Sequence, residues 1–275
     1  MQNFIAIHFN DIGLPEQEML IAGLSEAGYE AFEQTGNAFV AFIPEKSFNE
    51  KHLRDASVSL CNSYRKEVIA EKNWNALWES SFEPVHVGTF CTIRAAFHPP
   101  QQKAKHEVII TPKMSFGTGH HATTFLMVSM MEHLDLKNKS VLDFGTGTGV
   151  LAILAEKCGA GSITAIDIDE WSINNAQENI SSNACTSIQL ELSGSLSDKK
   201  KFDVILANIN KAVLDTELPQ MVQHLEPGGV LVLSGILKTD LRSIKDQVVS
   251  LGLNSFKVVE QLEWIAVKCS KQSAI

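Results

Sequence analysis

Between Ser140 and Gly252, short apolar runs alternate with helical patterns almost without interruption, and few folds accommodate that order. The runs are SVLDFG, SITAIDID, SIQLEL, FDVILANI and GVLVLSG; the helical patterns are VLAILAEKCG, EWSINNAQENIS, VLDTELPQMVQHL and TDLRSIKDQVVSLG. Alternation of this kind implies right-handed crossovers and a parallel sheet covered by helices on both faces. A further helical stretch, FLMVSMMEHL, precedes it. The last two runs, FKVVEQLE and WIAVKC, are too close together for a crossover, so they are expected to pair antiparallel at an edge. The expected fold is therefore α/β, a doubly wound sheet of roughly seven strands.

The first seventy residues read differently. FIAIHF, PEQEMLIAGLSEAG, YEAFEQTGNAFVAFIP, SFNEKHLRDASVSLC and YRKEVIAE give the order β-α-β-β-α-β, with a hairpin turn at Gly36-Asn37. That order predicts a small ferredoxin-like α+β domain over residues 1–70. WNALWESSF follows, with Trp74 and Trp78 one helical turn apart, and residues 71–82 are expected to form a helical linker. Residues 83–275 form the larger domain. Its first part, up to Ile110, looks like short strands around a polar PPQQKAKH turn whose arrangement the sequence leaves open.

Charge narrows the partners. The net charge is −9, and residues 1–70 hold ten acidic against five basic residues, more than half of that excess. Direct sequence-specific binding to nucleic acid is not expected, because nucleic-acid affinity depends on clustered Lys and Arg. A basic protein partner suits such a surface better. The five cysteines, Cys61, Cys91, Cys158, Cys185 and Cys269, are dispersed with no C-x-x-C pair, which fits a reducing cytoplasm. No apolar run approaches the ~18 residues of a membrane span.

Three features lie at strand ends. Asp143-Phe-Gly-Thr-Gly-Thr-Gly149 falls where the first strand turns into its helix, with Gly145 and Gly147 free to adopt positive φ and to let a ligand approach. The pattern is not G-x-G-x-x-G, since Val150 stands where the third glycine of a dinucleotide site belongs. Asp167 ends the second strand. Alone it would read equally as a helix cap; behind a glycine turn it reads as a ribose acceptor, and Asp169 as the cap. Asn208 follows FDVILA, a strand expected beside the first one across the topological switch point, where open-sheet ligands bind.

The loop ITPKMSFGTGHHATT contributes Gly117 and Gly119 for backbone freedom and Thr118, Thr123 and Thr124 as donors and acceptors, which suits a lid over a polar small molecule. His120 and His121 have no third ligand at metal spacing, so they read as surface or packing residues and no metal is expected.

Together, SFGTGHHATT, VLDFGTGTGVLAI, ITAIDID, ANI and SGI resemble the PrmA family, the S-adenosylmethionine-dependent methyltransferases of ribosomal protein L11. The resemblance spans nearly the whole chain. The chain departs from the family's pattern at Ala122, where proline is frequent, in GTGTG in place of GCGSG, and at Asn210, where an apolar residue is usual. Membership implies a Rossmann-like methyltransferase sheet and cofactor contacts at Thr124, Gly145, Asp167 and Asn208. It also implies that the segment Phe116, Gly117, Thr118, Gly119 up to Thr124 folds over the methionine part of the cofactor, with Gly147 in the glycine turn beside it. The substrate would be lysine side-chain and N-terminal amines of ribosomal protein L11, recognised by residues 1–70. Catalysis is expected from the Asn208 side-chain carbonyl and the Ile209 backbone carbonyl, which would accept the amine's hydrogens and aim its lone pair. Two alternatives compete: an amino methyltransferase acting on another protein or on nucleic acid, which would usually carry Asn-Pro-Pro, and a nicotinamide oxidoreductase or non-catalytic cofactor-binding module.

Overall fold

The computed structural model describes residues 3–57, 64–69, 82–100, 104–113, 116–196 and 200–273. The expected pairing of Trp74 with Trp78 lies outside them. The chain divides into two compact units, Met1–Phe82 and Glu83–Ile275.

In the first unit the strands β1 (Phe4–Phe9), β2 (Ala31–Thr35), β3 (Ala38–Pro44) and β4 (Arg65–Ile69) alternate with helices α1 (Leu14–Glu26) and α2 (Glu50–Ser57) in the order read from the sequence. The sheet order is β2-β3-β1-β4, with β1 antiparallel to both neighbours, which is the ferredoxin-like arrangement. Ile7, Phe9, Leu20, Leu24, Phe39 and Leu53 close a core of their own. The buried Gln17 amide donates to Ile12 O and to Gly36 O, both at 2.8 Å. It thereby ties the start of α1 to the β2–β3 turn, where Gly36 takes φ +59°.

The second unit opens with a three-stranded sheet, β5 (Val85–Val87), β6 (Cys91–Ala95) and β7 (His106–Ile110), the segment whose arrangement the sequence left open. β6 and β7 run parallel, held by a two-pronged ion pair from Arg94 to Glu107 at 2.8 and 3.0 Å. The main sheet is built from β8 (Ser140–Phe144), β9 (Ser162–Asp167), β10 (Ile188–Leu192), β11 (Phe202–Asn208), β12 (Leu225–Leu237), β13 (Leu253–Gln261) and β14 (Trp264–Lys271). Their order is β10-β9-β8-β11-β12-β14-β13. β8 to β12 are parallel, and the last two strands pair antiparallel as expected, with β14 inserted beside β12 so that β13 forms the edge.

Helices α3 (Ala122–Met131), α4 (Val150–Lys157), α5 (Glu170–Ser182), α6 (Lys211–His224) and α7 (Leu241–Ser250) pack around this sheet. The central strands are apolar on both faces because helices cover both, and Val141, Leu142, Ile205, Leu206 and Ala207 are essentially inaccessible. The chain leaves β8 towards β9 and β10, then returns to β11 on β8's other side. The carboxyl ends of β8 and β11 therefore diverge at a switch point and leave a crevice between their loops.

Candidate active site

The crevice is a cleft of about 710 Å³, within the ~300–1,000 Å³ typical of small-molecule sites. Its walls include Phe116, Gly145, Gly147, Asp167, Asn208 and Ile209. Loops from separate parts of the sequence thus bring most of the anticipated residues together. Thr124 does not line the wall; it sits fully buried one step behind, where the Asn208 Nδ2 donates to its Oγ1 at 3.3 Å. Gly117, Thr118 and Gly119 also lie off the wall. The Gly117 carbonyl accepts from Thr148 Oγ1 at 2.8 Å, Thr118 contacts His120 at 3.3 Å, and Gly119 packs against Ile93 and Val85.

The glycine turn is shaped by its neighbours. A Cβ on Gly147 would fall 2.3 Å from Phe116 O, and one on Gly145 would fall 2.5 Å from the Ile209 side chain. Both residues have positive φ, +55° and +74°. The sequence reading assigned this freedom to ligand approach; in the structure it first lets the loop before α3 and the loop after β11 close on the turn. Thr148 N completes that closure by donating to Phe116 O at 2.9 Å.

Asp167 is anchored by two backbone groups, Gly147 N to Oδ2 at 2.9 Å and Asp169 N to Oδ1 at 3.0 Å. A carboxylate offers about four lone-pair directions, so two stay open towards the cleft. Asp169 caps α5, accepting from Trp171 N and Ser172 N, as expected. Asn210, the departure noted above, is the N-cap of α6, its Oδ1 accepting from Val213 N at 3.0 Å. A polar residue there serves the helix start.

Asn208 lines the cleft, and its Oδ1 is buried and without a partner. A buried acceptor left unsatisfied costs about 1–3 kcal/mol, so a hydrogen donor on a bound molecule would recover that energy. Behind the turn lies Asp143, fully buried, whose pKa is raised to about 6 by desolvation. Hydrogen bonds from Thr146 Oγ1 at 2.7 Å and Ala152 N at 3.1 Å partly offset that, while the Asp167 charge adds to it.

The histidines take structural places. His120 contacts Glu83 O at 2.9 Å, and His121 caps α3 through Thr123. Sequence reasoning missed Ile168, Ser193, Gly194, Gly235 and Trp264 as cleft residues. Only Gly235 had a signal, the SGI motif. A Cβ there would lie 2.1 Å from Ile209 O, so glycine leaves room for that carbonyl.

The donor set fits S-adenosylmethionine: a carboxylate with open lone pairs at the end of the second strand, an apolar floor of Phe144, Ile166 and Ile168, and an unpartnered amide oxygen further along. Comparison with known proteins agrees. The profile of the family described as ribosomal protein L11 methyltransferase (PrmA) matches residues 11–272. A Phocaeicola vulgatus protein named ribosomal protein L11 methyltransferase is 39% identical over 259 residues, 91% of this chain and 92% of that one. A Porphyromonas gingivalis protein of the same name is 38% identical over 264 residues, 93% and 91% of the two chains. The crystal structure of ribosomal protein L11 methylase from Lactobacillus delbrueckii subsp. bulgaricus matches with a TM-score of 0.64 at 30% identity, covering 70% of this chain and 100% of that one. On a match that runs nearly end to end and includes every strand of the cleft, the chain belongs to the ribosomal protein L11 methyltransferase family, PrmA.

Proposed function

We propose that this chain transfers methyl groups from S-adenosylmethionine to lysine side-chain and N-terminal amines of ribosomal protein L11, in the cytoplasm. The observation that carries the reading is the meeting of Asp167 and Asn208 in one cleft, with the Asn208 carbonyl buried and unpartnered. When bound, S-adenosylmethionine supplies an electrophilic methyl group on its sulfonium.

Everything else is positioning by the chain. Asp167 accepts the ribose hydroxyls through its open lone pairs, and Gly145 and Gly147 keep the turn low beneath them. An attacking amine must be neutral, and a lysine amine has a pKa of ~10.4, so a proton leaves to water before attack. Asn208 Oδ1 and the Ile209 carbonyl then accept the two remaining N–H groups, which directs the nitrogen lone pair at the methyl carbon. Thr124 holds the Asn208 amide from behind.

Residues 1–70 recognise the protein substrate. Their acidic excess suits a basic ribosomal protein, and they carry a core of their own. The free cysteines Cys91, Cys158, Cys185 and Cys269 suit a reducing compartment. Among the described residues no helix is long and apolar enough to cross a membrane.

The test is incubation of the chain with labelled S-adenosylmethionine and recombinant ribosomal protein L11, read by mass spectrometry, beside calorimetric titrations with S-adenosylmethionine and NAD. Label on L11 amines and selective binding of S-adenosylmethionine are expected. Binding of NAD in its place, or label on nucleic acid alone, would overturn the reading. Deleting residues 1–70 should abolish L11 methylation and spare cofactor binding.

A further inference from the structure

Among the described residues β7 is an edge strand, paired with β6 on one side only. Side chains of α5 take the place of the missing strand. Asn175 and Asn179 on α5 and Asn183 at its C-terminal cap are spaced four apart and so lie on one face of the helix. Four helical residues rise ~6 Å and two strand residues ~6.6 Å, so a helix running against a strand can match every fourth side chain to every second backbone unit. Asn183 Oδ1 accepts from Ile109 N at 2.9 Å, and its Nδ2 donates to Ile109 O at 2.6 Å. Two residues on, Thr111 N donates to Asn179 Oδ1 at 2.7 Å, and Thr111 O accepts from Asn175 Nδ2 at 3.2 Å. These are the backbone groups that a strand edge must satisfy.

Asn179 reaches further than the strand edge. Its Nδ2 donates to Asn175 Oδ1 at 3.3 Å and to Thr148 O, inside the glycine turn, at 2.8 Å. Asn179 and Thr148 are both fully buried. Thr148 in turn is tied on every side: its N–H donates to Phe116 O at 2.9 Å and its Oγ1 to Gly117 O at 2.8 Å, while the residue before it, Gly147, donates to Asp167 Oδ2 at 2.9 Å. One buried amide therefore joins β7 to the turn that carries Gly147 and to two cleft residues, Phe116 and Asp167. Away from water neither the Asn179 amide nor the Thr148 carbonyl has another partner to turn to, so moving the turn would leave both unsatisfied.

We infer that Asn179 is a positioning residue for the cofactor: through Thr148 it fixes where the glycine turn stands relative to Asp167 and Phe116. Asn175 supports it, and Asn183 serves the strand edge alone. The inference rests on the cofactor site described under the proposed function.

The full chain is titrated with S-adenosylmethionine by calorimetry and assayed on recombinant L11, with urea denaturation of each variant alongside. Asn179→Ala should raise the dissociation constant roughly tenfold, the scale of one or two lost hydrogen bonds. Its KM for the cofactor should rise alike, with kcat at saturation within about twofold of wild type, because ground state and transition state lose the same binding. Asn183→Ala removes two bonds to β7 and should also lower stability, yet leave the dissociation constant within about twofold. Without cofactor, exchange of the Thr148 N–H should quicken in Asn179→Ala and not in Asn183→Ala. Asn175→Ala removes only the support of Asn179 and the bond to Thr111 O; it should raise the constant roughly threefold, and it carries the test if Asn179→Ala does not fold. The inference is overturned by an unchanged constant in Asn179→Ala, or in Asn175→Ala where the first does not fold. Equal rises in Asn179→Ala and Asn183→Ala, or a fall in kcat with KM unmoved, would overturn it too. Each of these results leaves the proposed function standing when wild type binds S-adenosylmethionine and labels L11; a wild type that does not bind the cofactor would overturn that function and this inference together.

Discussion

The side-chain amide of Asn208 donates to the hydroxyl of Thr124 at 3.3 Å, while the carbonyl of the same side chain lies buried with no partner. One end of the residue is held, and the other is the acceptor that the proposed function gives to the amine. Asn208→Ala should therefore lower kcat roughly 10²-fold at saturating cofactor and L11, the scale of losing orientation at a reacting atom. Thr124→Val keeps the volume and removes only the holding hydroxyl, worth about 1 kcal/mol, so a loss of roughly fivefold is expected. Single-turnover rates check both. Full turnover by Asn208→Ala would remove the residue from the mechanism.

Asp167 is held by two backbone donors, and the proposed function gives its remaining lone pairs to the ribose hydroxyls. Asp167→Ala should raise the dissociation constant for S-adenosylmethionine roughly 10²-fold, the effect of losing hydrogen bonds to a charged acceptor. Asp167→Asn keeps one acceptor oxygen and should fall in between. Calorimetry reads both, and an unchanged constant in the alanine variant would dismiss the ribose assignment.

The sheet was legible because its signal is local. Each strand from SVLDFG to GVLVLSG announces itself by an apolar run and each helix by its period, and the switch point follows from chirality alone. Asp167 and Asn208 were legible for the same reason, since both terminate such runs. Trp264 and His121 were not. They meet only because β14 inserts beside β12 and α3 packs near that edge, and neither residue has a neighbour in sequence that hints at the other. The three-stranded sheet of β5, β6 and β7 was hidden likewise, because the pairing of Arg94 with Glu107 joins strands across a loop. Gly145 and Gly147 were legible as positions of positive φ, and what the sequence did not show is that Ile209 and Phe116 stand where their side chains would be.

Burial gives Asp143 a pH signature. Desolvation lifts its pKa from 3.8 to about 6, so between those values the folded protein holds a proton that the unfolded chain has released. Stability from this group therefore falls as pH rises through that window and is level above it, on the order of 2–3 kcal/mol in all. Asp143→Asn cannot titrate. Between about pH 5 and about pH 7.5, wild type should lose about 1 kcal/mol more unfolding free energy than the variant, measured by urea denaturation. Parallel pH profiles for the two proteins would contradict a raised pKa at this site.

Gly235 separates backbone strain from steric displacement. It has φ +85°, and a Cβ there would lie 2.1 Å from the Ile209 carbonyl oxygen. Gly252 has nearly the same φ, +82°, with nothing within 4 Å of such a Cβ. Gly252→Ala should therefore cost only the left-handed backbone penalty of about 1–2 kcal/mol and leave turnover intact. Gly235→Ala adds a clash with the Ile209 backbone that displaces its carbonyl, one of the two acceptors proposed to orient the amine. Its stability loss should exceed that of Gly252→Ala, and its kcat should fall roughly 10²-fold where that of Gly252→Ala does not. Denaturation curves and initial rates on the two variants, side by side, make the comparison; equal rates would mean that the Ile209 carbonyl has no part in aiming the nitrogen.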